Sequence, residues 1–594
     1  MKQHIIDRVS ALRTYMKANG LHAFIFPSTD PHCGEYIPDH WKTREWISGF
    51  NGSAGTAVVT LEKAALWTDS RYFIAAEEQL SGTPFVLMKD RLPSTPSITQ
   101  WLTKELKENC VVGVDAWTYP TNEVFRLKEE LGKAYITIRT DLNPAAQLWE
   151  DRPDIPKNEV EIQPMKYAGR SATEKLTDIR SAMQEKNCDG MMVAALDEIA
   201  WTLNLRGTDI HCNPLFVSYL FITINDCTLY INKEKITPSV EQHLKENHVN
   251  ISSYEDVVHG LENYEGKGIL MDCNNVNYKL YNSVNKGCWI EDCPSPIALM
   301  RIVKNDTEIE GYRRSMLRDG IAMVKFLKWL KPAVIAGGQT EISIDKKLTS
   351  FRAEQENYRD ISFDTIAGYG EHGAIVHYEA TPETDIELKP KRLLLLDSGA
   401  QYQDGTTDIT RTIALGPVSD EEKHDYTLVL KGHIHLARIK FPEGSSGTQL
   451  DVCARYAMWQ EGINYLHGTG HGVGSYLCVH EGPHQLRMNY MPTPLRANMT
   501  LTNEPGIYKT GKHGIRIENT QLIIPYMDGE FGRFLQFEPL TLCPIDTAPI
   551  DSDMLNKEEK QWLNDYHKMV YDTLAPYLDY DHRQWLAEAT QPVL

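Results

Sequence analysis

Two aspartates, two glutamates and a histidine carry the strongest chemical signal in the chain: Asp397, Asp408, His471, Glu504 and Glu518. Asp397 follows four leucines (393–396), a run that reads as a buried strand, and Asp408 lies in the β-branched stretch 407–415, which reads as a second strand. Turn residues, Asp404-Gly405 among them, separate the two. A turn centred near Tyr402-Gln403 sets Asp397 opposite Asp408, and opposed residues of an antiparallel pair share a face. Adjacent carboxylates repel, so a divalent cation is expected between them. Glu504 and Glu518 repeat the arrangement about a midpoint at Gly511, and this too reads as a hairpin. Between the hairpins lies His467-Gly468-Thr469-Gly470-His471-Gly472-Val473-Gly474, whose glycines let the backbone approach a site closely. An oxygen-rich set with one imidazole suits a pair of Mn²⁺, Co²⁺ or Zn²⁺ ions, each with an open position. Four carboxylates balance two divalent ions, and without metal they are expected to show raised pKa values or to weaken the fold.

Other motifs carry less. His480-Glu481-Gly482-Pro483-His484 spells the single-zinc H-E-x-x-H pattern, which works only where i and i+4 share a helical face; Gly482-Pro483 breaks such a helix. His433 and His435, two apart on an expected helix, cannot face one metal together. No Gly-Lys-Ser/Thr follows the glycines of 467–474, which argues against phosphate binding, and 444–447 reads as a loop rather than a nucleophile elbow.

The elements that must position these groups fall into three blocks, as expected of a 594-residue chain. The first opens with an amphipathic helix (Ile5, Val9, Leu12, Met16) closed by Gly20, followed by a strand at 23–26, the Trp46 segment and a hairpin of 56–60 with 64–68. The second repeats that order: a helix 171–186 with a Ser171/Glu174 capping box, a strand at 191–194, the Trp201 segment and a hairpin of 219–224 with 228–231. Pro-rich stretches at 152–156 and 294–296 mark the junctions. A third block starts with a helix whose capping box is read as Thr307/Glu310, whose apolar stripe runs through Ile309, Tyr312, Met316, Met323, Leu327 and Leu330, and which Lys331-Pro332 should stop. A tail helix presents Leu563, Tyr566, Val570 and Leu574 on one face; Trp562 and Trp585 read as core rather than as a dimer contact. The expected domains are 1–152, 153–304 and 305–594, an α/β (α+β) protein with all five chemical residues in the last.

Composition bounds the partners. A net charge of -20 disfavours nucleic acid and anionic membrane surfaces. The 11 cysteines, odd in number and without CxxC pairs, read as reduced thiols. Residues 1–17 have no apolar signal core and no stretch is long and apolar enough to span a bilayer, so a cytoplasmic location is expected.

The five residues in order, with the words Asp397-Ser398-Gly399-Ala400-Gln401-Tyr402, Asp404-Gly405-Thr406-Thr407-Asp408, His467 to Gly474, Val479-His480-Glu481-Gly482-Pro483 and Asn503-Glu504-Pro505-Gly506, resemble the dinuclear site of the creatinase/methionine aminopeptidase superfamily. Within it the chain resembles aminopeptidase P, the Xaa-Pro aminopeptidases, in their long form; the likeness extends to Trp67-Thr68-Asp69-Ser70-Arg71-Tyr72-Phe73 and to 537–590. The resemblance implies two creatinase-like α/β domains followed by a pita-bread catalytic domain, a homodimer, and two metal ions, Mn²⁺ before Zn²⁺ or Co²⁺. It makes Asp397 a ligand of one metal, Asp408 and Glu518 bridges, and His471 and Glu504 ligands of the other, with a hydroxide between the metals as nucleophile. It gives Glu504 the proton from that nucleophile, His377 and His480 substrate positioning and proton transfer, and His467 and Arg71 substrate contact. Structural histidines, and a structural salt bridge at Arg71, are the competing readings. Arg516 and Tyr508 support the ligands. The implied activity is hydrolysis of the N-terminal Xaa-Pro bond of small peptides. A prolidase, cutting Xaa-Pro dipeptides, and a non-catalytic peptide-binding protein on the same fold are the alternatives; creatinase needs no metal, and methionine aminopeptidase lacks the two N-terminal domains.

Overall fold

A computed structural model of the protein describes residues 2–594. The chain divides into two compact units, one of residues 1–164 with 170–297 and the other of 165–169 with 298–594.

The N-terminal unit holds two six-stranded sheets of the same topology. In the first, Ala23–Phe26 pairs antiparallel with Thr56–Thr60 on one side and parallel with Val111–Val114 on the other; Ala64–Thr68 and Phe85–Lys89 extend one edge and Thr137–Arg139 the other. In the second, Gly190–Val193 takes the central place between Ser218–Thr223 and Gly268–Met271, with Cys227–Ile231, Asn250–Ser252 and Trp289–Asp292 completing the same order and directions. The short apolar strands (AFIF, GMMV) are buried on both faces, as the central position requires. The helix Ala172–Glu185 begins at the expected Ser171/Glu174 capping box.

The second unit opens with the helix Asp306–Ala336, and two details differ from the sequence expectation. Its N-cap is Asn305, boxed with Glu308, not Thr307 with Glu310. Asn accepts the Glu308 N–H as well as a hydroxyl would, and both pairs satisfy the same spacing, so the pattern alone did not choose between them. Pro332 lies inside the helix and does not end it. The ring costs one intrahelical hydrogen bond, but Val334 prolongs the buried face of Met323, Phe326 and Leu330, and the helix runs on to a left-handed Gly337 (φ 88°).

Two helix-on-sheet halves follow. In the first, Asp306–Ala336 and Glu341–Ala353 pack Phe326, Leu330, Ile344 and Leu348 on a sheet of Ile366–Tyr369, Leu393–Ser398 and Ile409–Ala414. In the second, Asp420–Arg438 and Gly447–Trp459 pack Leu436, Leu450 and Ala454 on Leu501, Ile523 and Leu535 of the sheet formed by Lys440–Pro442, Gly532–Pro539, Asn519–Gly529 and Thr500–Asn503. The tail helix Lys557–Leu574 buries Leu563, Tyr566, Val570 and Leu574 against this unit's core, and Trp562 stacks on Tyr566 with centroids 5.4 Å apart. No helix among the described residues is long and apolar enough to cross a membrane.

Candidate active site

Each proposed carboxylate pair sits on a hairpin whose ladder is interrupted near it. In the first hairpin Asp397 pairs with Thr410 and Ser398 with Ile409; after a break the ladder resumes with Gln401 opposite Thr406 and Tyr402 opposite Gly405. The turn therefore centres on Gln403-Asp404, one residue later than the sequence suggests, and Asp397 faces Thr410 rather than Asp408. A register change of two leaves every side chain on its face, so Asp408 still lies on the side of Asp397. In the second hairpin Asn503 pairs with Asn519 in one ladder and Gly506 with Arg516 in the next, around a left-handed Gly511 (φ 73°). Both ladders share one register, and Glu504 and Glu518 fall opposite each other in the gap between them. In that gap the two residues do not bond each other: the Glu504 N–H donates to the Thr469 carbonyl at 2.8 Å and the Glu518 N–H to the Thr410 carbonyl at 3.0 Å. The second hairpin docks on the 370–374 turn so closely that a side chain at Gly514 would meet the Gly373 carbonyl at 1.6 Å.

The side chains converge. Ligand atoms of Asp408, His471 and Glu518 lie within 4.8 Å of one another. His471 Nε2 is 3.4 Å from Asp408 Oδ2 and 3.4 Å from Glu504 Oε1, while its Nδ1 is 2.8 Å from the Gly472 carbonyl. An Nδ1–H donated to that carbonyl leaves Nε2 as the lone-pair atom facing the carboxylates, the tautomer a metal ligand needs. Thr410 donates to Glu518 Oε2 at 2.6 Å and Thr502 to Glu504 Oε1 at 3.1 Å. Arg516 Nη2 donates to Asp397 Oδ2 at 2.6 Å, and Asp397 Oδ1, buried, has no hydrogen-bond partner.

Electrostatics show the strain of this gathering. Burial first, then the Asp397 and Glu504 charges, push the Asp408 carboxyl well above its ordinary range. Burial and the Asp408 charge do the same to Glu518. Glu504 is pushed up to about 7, chiefly by burial, against the pull of Arg516. Although burial works against the Arg516 guanidinium, Tyr508 and the carboxylates around it raise its pKa above the usual arginine value. One arginine cannot neutralise four carboxylates, three of them buried and Glu504 nearly so; two divalent cations can. The oxygen-rich donor set, the orphaned Asp397 oxygen and an imidazole Nε2 turned toward the carboxylates all fit such ions.

The remaining candidates distribute as follows. His480 packs edge-on against His471 with centroids 4.4 Å apart, and its charge acts on Glu504. His467 Nε2 is 2.8 Å from the Tyr508 hydroxyl, which accepts from Arg516 Nη1 at 2.8 Å. His377 follows Val376, whose carbonyl is 3.5 Å from Arg516 Nη2. His484 is buried on the Thr500 carbonyl, and Glu481 pairs with Lys304 at 2.5 Å within the strand Glu481–Leu486, so the H-E-x-x-H spelling has no helix. His433 is buried on the Asn503 carbonyl and His435 bonds Glu559. Arg71, in the N-terminal unit, forks onto Asp69 with two 2.9 Å bonds and lies 3.5 Å from Glu35.

Sequence reading missed the groups that hold these carboxylates in place. Thr410 could have been found from the correct hairpin register. Arg411 could not: fully buried, it donates to the Thr410, Glu518 and Cys543 carbonyls and to Tyr566, tying both hairpins to the tail helix.

Comparison with known proteins gives a consistent account. Residues 8–143 and 151–308 each match a creatinase/prolidase N-terminal domain, 310–525 match metallopeptidase family M24, and 533–593 match the C-terminal region of M24 peptidases. Aminopeptidase P1 of Arabidopsis thaliana is 37% identical over 98% of this chain and 99% of its own length. Xaa-Pro aminopeptidase 1 of Dictyostelium discoideum is 39% identical over 100% and 97%. The crystal structure of an X-prolyl aminopeptidase from Caenorhabditis elegans, described as a cytosolic enzyme with a di-nuclear active site, superposes with a TM-score of 0.95 at 34% identity, covering 99% of this chain and 100% of that one. An Xaa-Pro dipeptidase from Bacillus anthracis shares the fold over 63% of this chain (24% identity, TM-score 0.51). The chain belongs to the aminopeptidase P family of M24 metallopeptidases, with creatinase-type N-terminal domains and the pita-bread catalytic fold.

Proposed function

We propose that this member of the aminopeptidase P family is a metal-dependent aminopeptidase that hydrolyses the bond between the first residue of a peptide and a proline in second position. The observation that carries the reading is the buried convergence of Asp408, His471 and Glu518 on one point, with Glu504 and Asp397 beside them, in a chain alike along its whole length to Xaa-Pro aminopeptidases. Five intact donors favour catalysis over passive peptide binding. Full-length likeness to aminopeptidases favours them over a prolidase, to which only the fold extends.

Asp397, Asp408, His471, Glu504 and Glu518 would hold two divalent ions, taken to be Mn²⁺. When bound, such ions polarise the scissile carbonyl and make a water acidic near neutral pH. Glu504, whose Oε1 lies 3.4 Å from His471 Nε2, accepts the proton that the attacking water gives up. His480 and His377 hydrogen-bond the developing oxyanion and return a proton to the departing nitrogen, which as the secondary amine of proline leaves poorly unless protonated. His467, fixed by Tyr508, lines the substrate pocket, and Arg516 keeps Asp397 ionised and aimed inward. For Arg71 the Asp69 fork supports a structural role better than substrate contact. The domain limits are taken as 1–152, 153–304 and 305–594, the location as cytoplasmic and the assembly as a homodimer.

The test is hydrolysis of an Xaa-Pro-Pro tripeptide by chelated and Mn²⁺-reconstituted protein, with Xaa-Pro and Xaa-Ala-Ala alongside. Release of Xaa from the proline tripeptide alone, and only after reconstitution, is the expected result. Cleavage of Xaa-Pro alone would make it a prolidase. Inertness toward all three with metal bound would leave the binding-protein reading.

A further inference from the structure

The loop that carries His467 is clamped from behind by a buried ion pair outside the reacting centre. Asp451 and Arg455 lie one turn apart on the helix Gly447–Trp459, both almost wholly buried, and Arg455 Nε donates to Asp451 Oδ2 at 2.6 Å. Nη2 also reaches Asp451 Oδ1 at 3.3 Å, and both terminal nitrogens reach beyond the helix. Nη1 donates to the Tyr465 carbonyl at 2.5 Å and to Asn464 Oδ1 at 3.1 Å, and Nη2 to the His467 carbonyl at 2.9 Å. Arg455 Cζ lies over the Tyr465 ring, 3.8 Å from its centroid. Thr469 Oγ1 donates to Asp451 Oδ1 at 2.5 Å; its single proton spent there, it accepts from the Tyr465 hydroxyl at 2.5 Å. The Thr469 carbonyl in turn accepts the Glu504 N–H at 2.8 Å.

We infer that Asp451 and Arg455 are positioning residues for the reaction: together they set the path of residues 464–469, and through it the place of the His467 imidazole against Tyr508 and of the Glu504 backbone. The inference rests on the aminopeptidase reading. A charge pair serving the helix alone needs only the i, i+4 bond. Here most of the arginine's donors go to the loop, two of them to backbone carbonyls, which only a planar fork can reach at once. A lysine would keep the charge opposite Asp451 and lose the fork.

Arg455→Lys is therefore the test, read by steady-state kinetics on the Xaa-Pro-Pro tripeptide, metal content and thermal melting. The expected result is a loss in kcat/KM of about tenfold or more, with two metals still bound. The loss should overlap with that of His467→Ala: the double variant should lose less than the product of the two single losses, the remainder being what acts through the Glu504 backbone. Should Arg455→Lys fail to fold, Thr469→Val removes only the hydroxyl that anchors the loop to Asp451, and the same cycle applies. Rates within twofold of the parent, or losses that simply multiply in the double variant, would overturn the assignment. A parent protein inert toward the tripeptide would instead overturn the aminopeptidase reading.

Discussion

At the scale of single residues the site is a set of like charges held together by its surroundings. Asp408→Asn removes one carboxylate from the point where His471 and Glu518 meet and should abolish tripeptide hydrolysis and lower metal stoichiometry, as elemental analysis would show. Glu504→Gln keeps size and the Thr502 bond; it should retain most of the structure while reducing kcat by about a hundredfold or more, the usual worth of a general base. A variant of Glu504 with full kcat would remove it from proton transfer. Arg516→Ala strands the Asp397 carboxylate, and losing one partner of a buried pair costs about 3–5 kcal/mol. Melting of the metal-free variant measures that cost.

At the scale of elements, what the sequence made legible followed local periodicity. The leucine run, the Gly511-centred hairpin and the Ser171 cap are each decided by neighbouring residues, and the structure has them. The Asp397 hairpin turned one residue later because two turn signals, Tyr402-Gln403 and Asp404-Gly405, lie side by side and cross-strand pairing settles between them. Pro332 stayed helical because burial of Val334, a tertiary matter, outweighed one lost bond. Arg411 was invisible because its partners are mostly carbonyls far along the chain, and the reach of Arg455 was invisible because it ends on loop carbonyls; a carbonyl has no letter in the sequence. Docking of the second hairpin is similarly backbone on backbone. Gly514→Ala would drive a methyl group into the Gly373 carbonyl, so it should lower the melting temperature and displace the 513–516 strand that leads to Glu518. Unchanged melting and activity would show that the turn can yield.

For the molecule as a whole, acid is the informative perturbant. Burial depresses His433 to about 3 and His484 and His567 to about 4. The unfolded chain, with histidines near the ordinary value of about 6.5, binds protons there that the folded chain refuses. Stability is therefore full above about pH 6.5 and declines as pH falls toward 3, each histidine contributing on the order of 1 kcal/mol per pH unit. Raised carboxyls work in the opposite sense: Glu504, at about 7 when folded, takes up protons on folding, so metal-free protein should gain from it as pH drops from 7 toward the unfolded value. Metal-loaded protein, its ligands already deprotonated, should lack the Glu504 contribution and so lose stability more steeply than metal-free protein between pH 6.5 and 5.5. Identical pH–melting curves with and without metal would contradict the assignment of these carboxylates as ligands.

The shared register of the two ladders flanking Glu504 and Glu518 has a mechanical meaning. A paired ribbon twists as one body, and in the gap between its ladders the two glutamates are tied to other segments instead of to each other. The separation of the two glutamates is thus a gauge of ribbon torsion. If the two glutamates hold the ions as proposed, strain applied at the Gly511 tip should be readable as a change in intermetal distance by X-ray absorption, and the hairpin would act as a lever arm on the site.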